Sequence, residues 1–285
     1  MESQQQKLLH LHGDSDIIAA VDPGRDNLLK GTAPQSHFVQ FYGADDRHIN
    51  KNVGCFLAEG LKLGGALVIG SPSRNTAVAF EINEMGIDSA QAVENGNLRF
   101  LDAEATLDQF MVDGQPYWGR FERTIGSVIR EIRTSVGHGG LRAYGEMVGV
   151  LWTRGQYSAA VRLEQFWNKL LSRSSASLFC GYPIDIFSPE FESGAVDAVL
   201  CAHTHVLPSR SNSEAEDAIY QAMRGVFGVQ SAELEALMEA RPQAAWGDML
   251  KGEASVLWIR QNLPNRADEI LAQARQFLQT SSVKM

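Results

Sequence analysis

Cysteine and long apolar runs are both scarce in this sequence. Only three cysteines, Cys55, Cys180 and Cys201, occur among 285 residues, and they form no CxxC pair. An odd, sparse set excludes a disulfide framework and is typical of a reducing compartment. The longest apolar runs, such as 66–69, are far too short to cross a bilayer, and the polar first residues lack the apolar region of a secretory signal. We therefore predict a cytoplasmic protein without membrane association.

Positive charge is also in short supply. Lys and Arg number 25 against 34 Asp and Glu, so the formal net charge is -9, and the pI is about 5.3. Proteins that bind nucleic acid need a basic patch or stripe, so we do not expect direct nucleic-acid binding. The apolar fraction of 44% is ordinary for a globular protein, and a chain of this length can bury a core without disulfides.

Short apolar segments alternate with longer amphipathic ones through the central part of the chain. The predicted strands cover 37–42, 66–69, 98–101, 141–144 and 177–180. The predicted helices between them cover 45–63, 75–85, 104–112, 117–135 and 156–173. Repeated alternation of strand and helix predicts an α/β fold with a mostly parallel sheet that is flanked by helices.

The ends of the chain differ from this central part. Residues 1–35 are polar, and we predict a flexible leader there with one short helix at 17–21. The main domain is predicted over 36–208 and a polar linker over 209–216. Beyond the linker, 217–285 has helical periodicity and no strand pattern, which indicates a small, all-helical C-terminal module.

The turn after the second predicted strand lies where nucleotide-binding α/β proteins carry a phosphate-binding loop. Such a loop follows the pattern G-x-x-x-x-G-K-[ST], but the octet that begins at Gly70 has Asn75, Thr76 and Ala77 at the last three positions. Arg74 is still able to contact an anion. The glycine, the lysine and the metal-binding hydroxyl are all replaced, so an ordinary strand-to-helix turn is the better interpretation and we do not predict an enzyme.

Two carboxylates and several aromatic residues follow predicted strands. Asp102 and Glu146 each lie just past a strand end, where open α/β sheets form a ligand crevice, although helix N-caps are the alternative. Tyr144 and Tyr182 lie near strand ends and are candidate pocket residues. Trp167 has helical spacing with apolar neighbours and is predicted to be core packing.

A possible metal-binding pattern occurs at Cys201, His203 and His205. On a strand these three side chains would share one face, and thiolate and imidazole are zinc ligands. His37 or Cys180 could complete the set only through the fold. The alternative is a packed cysteine beside histidines that bond to loop backbone.

A series of short segments resembles one known family when the segments are taken in order. They are HFVQFY at 37, FLAEGL at 56, LDA at 101, FMVDGQP at 110, YGEMV at 144, RLEQFWN at 162, CGYP at 180 and AHTHVLP at 202. Together they resemble the MEDS family, the methanogen/methylotroph sensory domains that accompany regulators of the DcmR type. The resemblance implies a degenerate RecA/KaiC-like fold that senses small molecules, with His37, Glu146 and His203 in the site. The histidines would hydrogen-bond or ligate, and Glu146 would supply charge or contact a metal.

These observations predict a cytoplasmic sensory or regulatory protein that binds a small-molecule signal and relays it through protein–protein contacts, without nucleotide hydrolysis. The predicted ligand-binding residues are His37, Tyr42, Arg74, Asp102, Tyr144, Glu146, Tyr182 and His203. The candidate cofactors are a transition metal or a small organic ligand. The expected partner is a histidine kinase or a transcription regulator, and self-association into a homo-oligomer is a further expectation.

Two alternatives stay open at this point. One is a hydrolase, either a residual nucleotide hydrolase or a metal-dependent enzyme that uses Glu146 with His203 and His205. The other is an interaction scaffold that binds no ligand.

Overall fold

A computed structural model of the chain describes residues 28–136, 140–191, 193–208, 212–228 and 251–282. The short helix predicted at 17–21 and the first part of the predicted linker, 209–211, lie outside the described residues. Within the described part of the chain, no helix is both long enough and apolar enough to cross a membrane.

The described elements alternate as the sequence predicts. The strands are β1 (His37–Phe41), β2 (Gly64–Gly70), β3 (Leu98–Asp102), β4 (Met111–Val112), β5 (Gln115–Pro116), β6 (Gly140–Gly145), β7 (Ala176–Tyr182) and β8 (His205–Leu207). The helices of the main domain are α1 (Arg47–Leu63), α2 (Pro72–Glu84), α3 (Ser89–Glu94), α4 (Ala103–Asp108), α5 (Trp118–Val136), α6 (Met147–Thr153), α7 (Tyr157–Leu171) and α8 (Ser193–Ala202). The C-terminal helices are α9 (Asn212–Phe227), α10 (Lys251–Asn262) and α11 (Ala267–Ser282).

Six strands form one parallel sheet in the order β3-β2-β6-β7-β1-β8. All five residues of β1 and all seven of β7 are buried. Burial of both faces explains why β2 is a continuous apolar run rather than an alternating one. The predicted α/β fold, with a parallel sheet between helices and further helices at the C-terminal end, is confirmed.

Helices cover the two faces of the sheet in two groups. Apolar side chains of α1, α2 and α3 pack on one face together with Phe38, Val68 and Phe179. Those of α4 to α8 pack on the other face, and the C-terminal helices add Ile219, Ile270 and further residues to the same core. The main domain and the described C-terminal helices therefore share one continuous apolar core.

Two local predictions were wrong. The helix predicted over 104–112 ends at Asp108, and the chain then forms the β4–β5 hairpin. Its turn residues, Asp113 and Gly114, have φ of 47° and 74°, the left-handed conformation that Asp-Gly hairpin turns require. Cys201 lies in α8 rather than on a strand, and the last strand begins only at His205.

The predicted leader and linker are both partly built into the fold. Leu29 is buried, and the Arg142 guanidinium donates to the carbonyl oxygens of Leu29 at 2.6 Å and Lys30 at 3.0 Å. Helix α9 begins at Asn212, inside the range predicted as linker.

Candidate functional site

The carboxyl ends of the six parallel strands lie along one edge of the sheet. The chain leaves β2 toward the face that α2 covers, whereas it leaves the neighbouring β6 toward the face that α6 covers. Such a divergence between adjacent strands opens a crevice, and open α/β sheets bind their ligands there. Ser71 follows β2 and Glu146 follows β6 at this point.

A buried polar network, here called the Glu146 cluster, occupies that crevice. The Glu146 carboxylate accepts from Arg74 Nε at 2.5 Å and from the Ser71 backbone N–H at 3.0 Å. It also accepts from the hydroxyls of Tyr144 at 3.0 Å and Tyr42 at 3.4 Å. The side chains of Arg74 and Glu146 are 6% and 9% exposed, so this is a desolvated ion pair that depends on its hydrogen bonds.

The pKa values in this cluster reflect burial and charge together. Burial, reinforced by the negative charge of Glu146 and opposed by Arg74, raises the pKa of Tyr42 to about 12. Burial would lower the pKa of the Arg74 guanidinium, but Tyr144 and Glu146 outweigh it, so the net shift is upward. Arg74 therefore stays charged, with the buried Glu146 and the half-exposed Asp46 as its counterions.

The turn after β2 is closed by the protein's own groups. The Ser71 hydroxyl accepts from the Arg74 backbone N–H at 3.2 Å, which caps α2. Together with the bond from the Ser71 N–H to Glu146, this commits backbone donors that a phosphate-binding loop would direct at its ligand. A carboxylate of the same chain thus lies at the start of α2, where a phosphate would lie.

A cleft of about 610 Å³ opens beside this cluster, at the carboxyl ends of β1 and β7. Its walls include the aromatic rings of Tyr42, Trp152 and Tyr157 and the carboxylate of Asp185. Trp152 and Tyr157 meet edge to face with their ring centroids 4.7 Å apart. Polar and apolar residues both line the cleft, and its volume lies in the range of small-molecule sites.

Tyr42 connects the cleft with the Glu146 cluster. Its ring lines the cleft, and the Arg74 guanidinium carbon lies 5.0 Å from the centroid of that ring. A molecule that displaces Tyr42 in the cleft would therefore act on the Arg74–Glu146 pair.

The opposite wall of the cleft is tied to the C-terminal helices. Arg275 of α11 donates to the Asp185 carboxylate at 2.7 Å, and Arg260 of α10 donates to the Ser188 carbonyl at the same distance. Asp185 and Ser188 both line the cleft. The cleft wall is thus joined directly to α10 and α11.

A second polar cluster, here called the Glu164 cluster, lies between the sheet and α7. It consists of His37 on β1, Glu164 on α7, Cys180 on β7 and His203 after α8. One ligand-type atom from each of the four lies within 4.8 Å of the others. His203 reaches the cluster because the Thr204 backbone N–H donates to the His37 carbonyl at 2.8 Å.

The carboxylate of Glu164 is fully buried and surrounded by histidine. Burial would raise its pKa, but the attraction of His203 and then of His37 outweighs burial and holds the pKa well below its usual range. Burial, with the neighbouring His203, lowers the pKa of His37. Burial and the charge of Glu164 raise the pKa values of Cys180 and Tyr182. The Tyr182 hydroxyl donates to Glu164 at 2.8 Å.

Comparison with known families identifies the domain that carries both clusters. The model of the family described as MEDS, the MEthanogen/methylotroph, DcmR Sensory domain, matches residues 36–204. The chain belongs to the MEDS family. No curated protein matches it. The matched MEDS residues include every member of the Glu146 and Glu164 clusters, so both belong to the sensory domain itself.

The predicted site residues of this MEDS domain separate into two groups. Tyr42, Arg74, Tyr144 and Glu146 meet in the Glu146 cluster, whereas His37 and His203 lie in the Glu164 cluster and Tyr182 donates to it. The expectation of one shared site for His37, Glu146 and His203 is therefore not what the fold shows. Tyr144 and Tyr182 are fully buried and hold carboxylates rather than line the cleft, and Trp167 is core as predicted.

The remaining predicted residues have other roles. Asp102 caps α4, because its carboxylate accepts from the Ala105 backbone N–H at 2.7 Å. Cys201 is exposed on α8, and the His205 ring stacks on Phe38 at a centroid distance of 4.7 Å. Neither joins His203 in the Glu164 cluster.

Glu164 is a site residue that was not predicted from the sequence. Its position carries a signal, because it is four residues after Ala160 and three before Trp167 and therefore lies on the buried side of α7. A carboxylate on an otherwise apolar helix face needs buried partners.

Proposed function

We propose that this chain is a sensory protein that binds a small organic molecule in the cleft beside Tyr42 and passes that event to its C-terminal helices. Membership of the MEDS family indicates a sensory or regulatory role. Ligand binding and relay are supported by one observation: the two walls of the cleft contact different parts of the fold. On one wall, Tyr42 contacts the buried Arg74–Glu146 pair. On the other wall, Asp185 accepts a hydrogen bond from Arg275 of α11.

The chemistry of the cleft favours a compact ligand with both apolar and polar surface, because aromatic side chains and the acidic residues Asp185 and Glu190 line it together. Three aromatic side chains supply apolar surface, while Asp185, Ser188 and the Tyr42 hydroxyl supply polar atoms. Ligand pockets in general combine a mainly apolar lining with a few polar groups that fix orientation.

The proposed relay is a shift between two arrangements of the cleft. A ligand changes such an equilibrium only by binding one arrangement more tightly than the other. The contacts that would differ are those of Asp185 with Arg275 and of Ser188 with Arg260. The receiver is proposed to be a separate signalling protein, such as a histidine kinase or a transcription regulator, that contacts the C-terminal helices.

A role without nucleotide hydrolysis is supported by the turn after β2. Glu146 already accepts from the Ser71 backbone N–H and from Arg74, so a nucleotide phosphate would have to displace a buried carboxylate of the same chain. A hydrolase that uses Glu146 with His203 and His205 finds no support, since these residues lie in different surroundings. The RecA/KaiC-like relationship stays a prediction.

The proposal is tested by ligand-observed NMR on the full chain with three mixtures of probes: short-chain alcohols, short-chain carboxylates and short-chain alkylamines. Ala44 lines the cleft and is exposed, so Ala44→Trp fills the cleft without entering the core. Ala90→Trp is the matched control, because Ala90 is also exposed and belongs to α3, which packs on the other face of the sheet.

We expect saturable magnetisation transfer to at least one probe class with the wild type and with Ala90→Trp, and loss of that transfer with Ala44→Trp. The proposal would be rejected if no class binds the wild type, or if Ala44→Trp binds the same probes as strongly as the control.

A further inference from the structure

The Glu164 cluster has the composition and the burial of a metal site. The side chains of His37, Glu164 and His203 are 1%, 0% and 0% exposed, and Cys180 is 0% exposed. Imidazole, thiolate and carboxylate are the three ligand types that zinc takes from proteins. The four residues come from different elements, so only the fold brings them together.

Hydrogen bonds outside the cluster fix how the two imidazoles face it. His203 Nδ1 lies 2.6 Å from the carbonyl oxygen of Val199, which can only accept, so this nitrogen carries a proton. His37 Nδ1 lies 2.9 Å from Asn168 Oδ1, and the amide of Asn168 is oriented by donating to the Ala202 carbonyl. In both neutral rings Nε2 is therefore the unprotonated atom, and it faces the centre of the cluster.

Hydrogen-bond acceptors consequently face one another inside the cluster, because the unprotonated Nε2 atoms of both imidazoles lie beside the Glu164 carboxylate. His37 Nε2 lies 3.3 Å from Glu164 Oε2, and His203 Nε2 lies 3.3 Å from Glu164 Oε1. His203 Nε2 is buried and makes no hydrogen bond with any described group. The Cys180 thiol can donate to only one of His37 Nε2 and Glu164, so the cluster holds fewer protons than inward lone pairs, and a cation between these buried groups would compensate them.

The spacing of His37, Cys180 and Glu164 fits a tetrahedral ion, and His203 lies within 4.8 Å of all three. With Zn–N, Zn–O and Zn–S bonds of about 2.0–2.3 Å, tetrahedral ligand atoms are about 3.3–3.6 Å apart. Besides the two distances to Glu164, His37 Nε2 lies 3.3 Å from Cys180 Sγ, and Cys180 Sγ lies 3.6 Å from Glu164 Oε2.

We propose that His37, Glu164, Cys180 and His203 bind one Zn²⁺ ion, or another divalent transition-metal ion of the same ligand preference, in a closed structural site. This site differs from the one predicted at Cys201, His203 and His205, with which it shares only His203.

The charges of the ligands and the elements that they belong to indicate a structural role for the ion. A divalent ion with one carboxylate and one thiolate is neutral overall, so its burial leaves no net charge in the core. Four protein ligands leave no open position for substrate water, unlike a catalytic zinc site. The ion would join β1, β7, α7 and the segment after α8, and so hold the last strand of the sheet in place.

The test is metal analysis of the full chain as purified, followed by chelation and titration with Co²⁺ as a spectroscopic probe. We expect zinc in a one-to-one ratio, and Co²⁺ spectra with the ligand-field bands of a four-coordinate ion and a thiolate-to-cobalt charge-transfer band. Cys180→Ser should lose that band, and His203→Gln should lose stoichiometric metal. Asn168→Ala, which frees the His37 ring, should weaken Co²⁺ binding by about tenfold or more.

Matched controls come from the same chain. Cys201→Ser and His205→Gln should keep full metal content. The double variant Cys55→Ala with Cys201→Ser leaves Cys180 as the sole thiol among three cysteines, so a retained charge-transfer band assigns that ligand even if Cys180→Ser fails to fold.

The proposal is overturned if the wild type binds neither ion, if the double variant lacks the thiolate band, or if metal is lost from the control variants and kept in Cys180→Ser and His203→Gln.

Discussion

Glu146 and Glu164 are both buried carboxylates, and each is held by partners of a different kind. Glu146 meets a guanidinium, a backbone N–H and two phenols, whereas Glu164 meets two imidazoles, a thiol and one phenol. Breaking a buried ion pair by removing one partner leaves the other charge without compensation, which costs far more than the pair itself contributes. The two residues should therefore be among the most sensitive in the domain.

Neutralising Glu146 tests this at the residue scale. Glu146→Gln should lower the free energy of unfolding by about 3 kcal/mol, because Arg74 stays charged with its main counterion gone. Glu104→Gln is the matched control: Glu104 and Arg154 form an ion pair whose side chains are 65% and 41% exposed, so the cost should be about 0–1 kcal/mol. Urea unfolding of both variants measures the difference. Similar losses in the two variants would mean that the Glu146 cluster is not desolvated as described.

The pKa of Tyr42, raised to about 12, gives a second prediction. The fold favours the neutral phenol over the phenolate. The stability that this adds is fully present below the unfolded-state pKa of about 10 and is lost as the pH rises through the folded pKa of about 12. The absorbance difference between wild type and Tyr42→Phe should show a phenol that ionises near pH 12. Ionisation of Tyr42 near pH 10 would show that its hydroxyl is solvated rather than held by Glu146.

At the level of elements, β2 and β3 each pass into the next helix through a single capping residue, Ser71 and Asp102. Asp102 ends β3 and caps α4 through the Ala105 backbone N–H. Asp102→Ala should lower the free energy of unfolding by about 1 kcal/mol and leave probe binding in the cleft unchanged. Asp108→Ala, in the last turn of the same helix, should be neutral or slightly stabilising, since an acid at that end opposes the helix dipole. Loss of probe binding in Asp102→Ala would restore Asp102 as a ligand residue.

Five of the six strands of the parallel sheet could be predicted, β2 from its continuous apolar run and the others from short, mostly apolar segments between helical ones. The helix before His203 could not, since α8 has only ten residues and the Cys-Ala-His-Thr-His run also fits a strand. The β4–β5 hairpin is too short for a periodicity, and its signal was the Asp-Gly pair at 113–114.

The residues of the candidate site could be predicted only in part. Tyr42, Arg74 and Glu146 could be predicted because residues after parallel strands converge at one edge of the sheet. Glu164 could not be placed, because a carboxylate on a helix is ordinarily solvated and only the fold brings two histidines to it. The aromatic wall formed by Trp152 and Tyr157 likewise depends on how α6 and α7 pack.

At the scale of the whole molecule, the described C-terminal helices are continuous with the main domain. Ile219 of α9 and Ile270 of α11 belong to the same core as the sheet face that α7 covers. Arg275 extends from α11 to Asp185 at the cleft wall. Under the proposed function, a change in the cleft would reach the C-terminal helices through this contact.

Hydrogen–deuterium exchange of the full chain measures whether the cleft and the C-terminal helices are coupled. Ala44→Trp fills the cleft independently of the natural ligand. Exchange of the backbone amides of α11 should change in Ala44→Trp, should stay at the wild-type level in Ala90→Trp, and should no longer respond to Ala44→Trp when Arg275→Gln removes the contact with Asp185. Unchanged exchange in α11 of Ala44→Trp, in a protein that keeps its fold, would contradict the account.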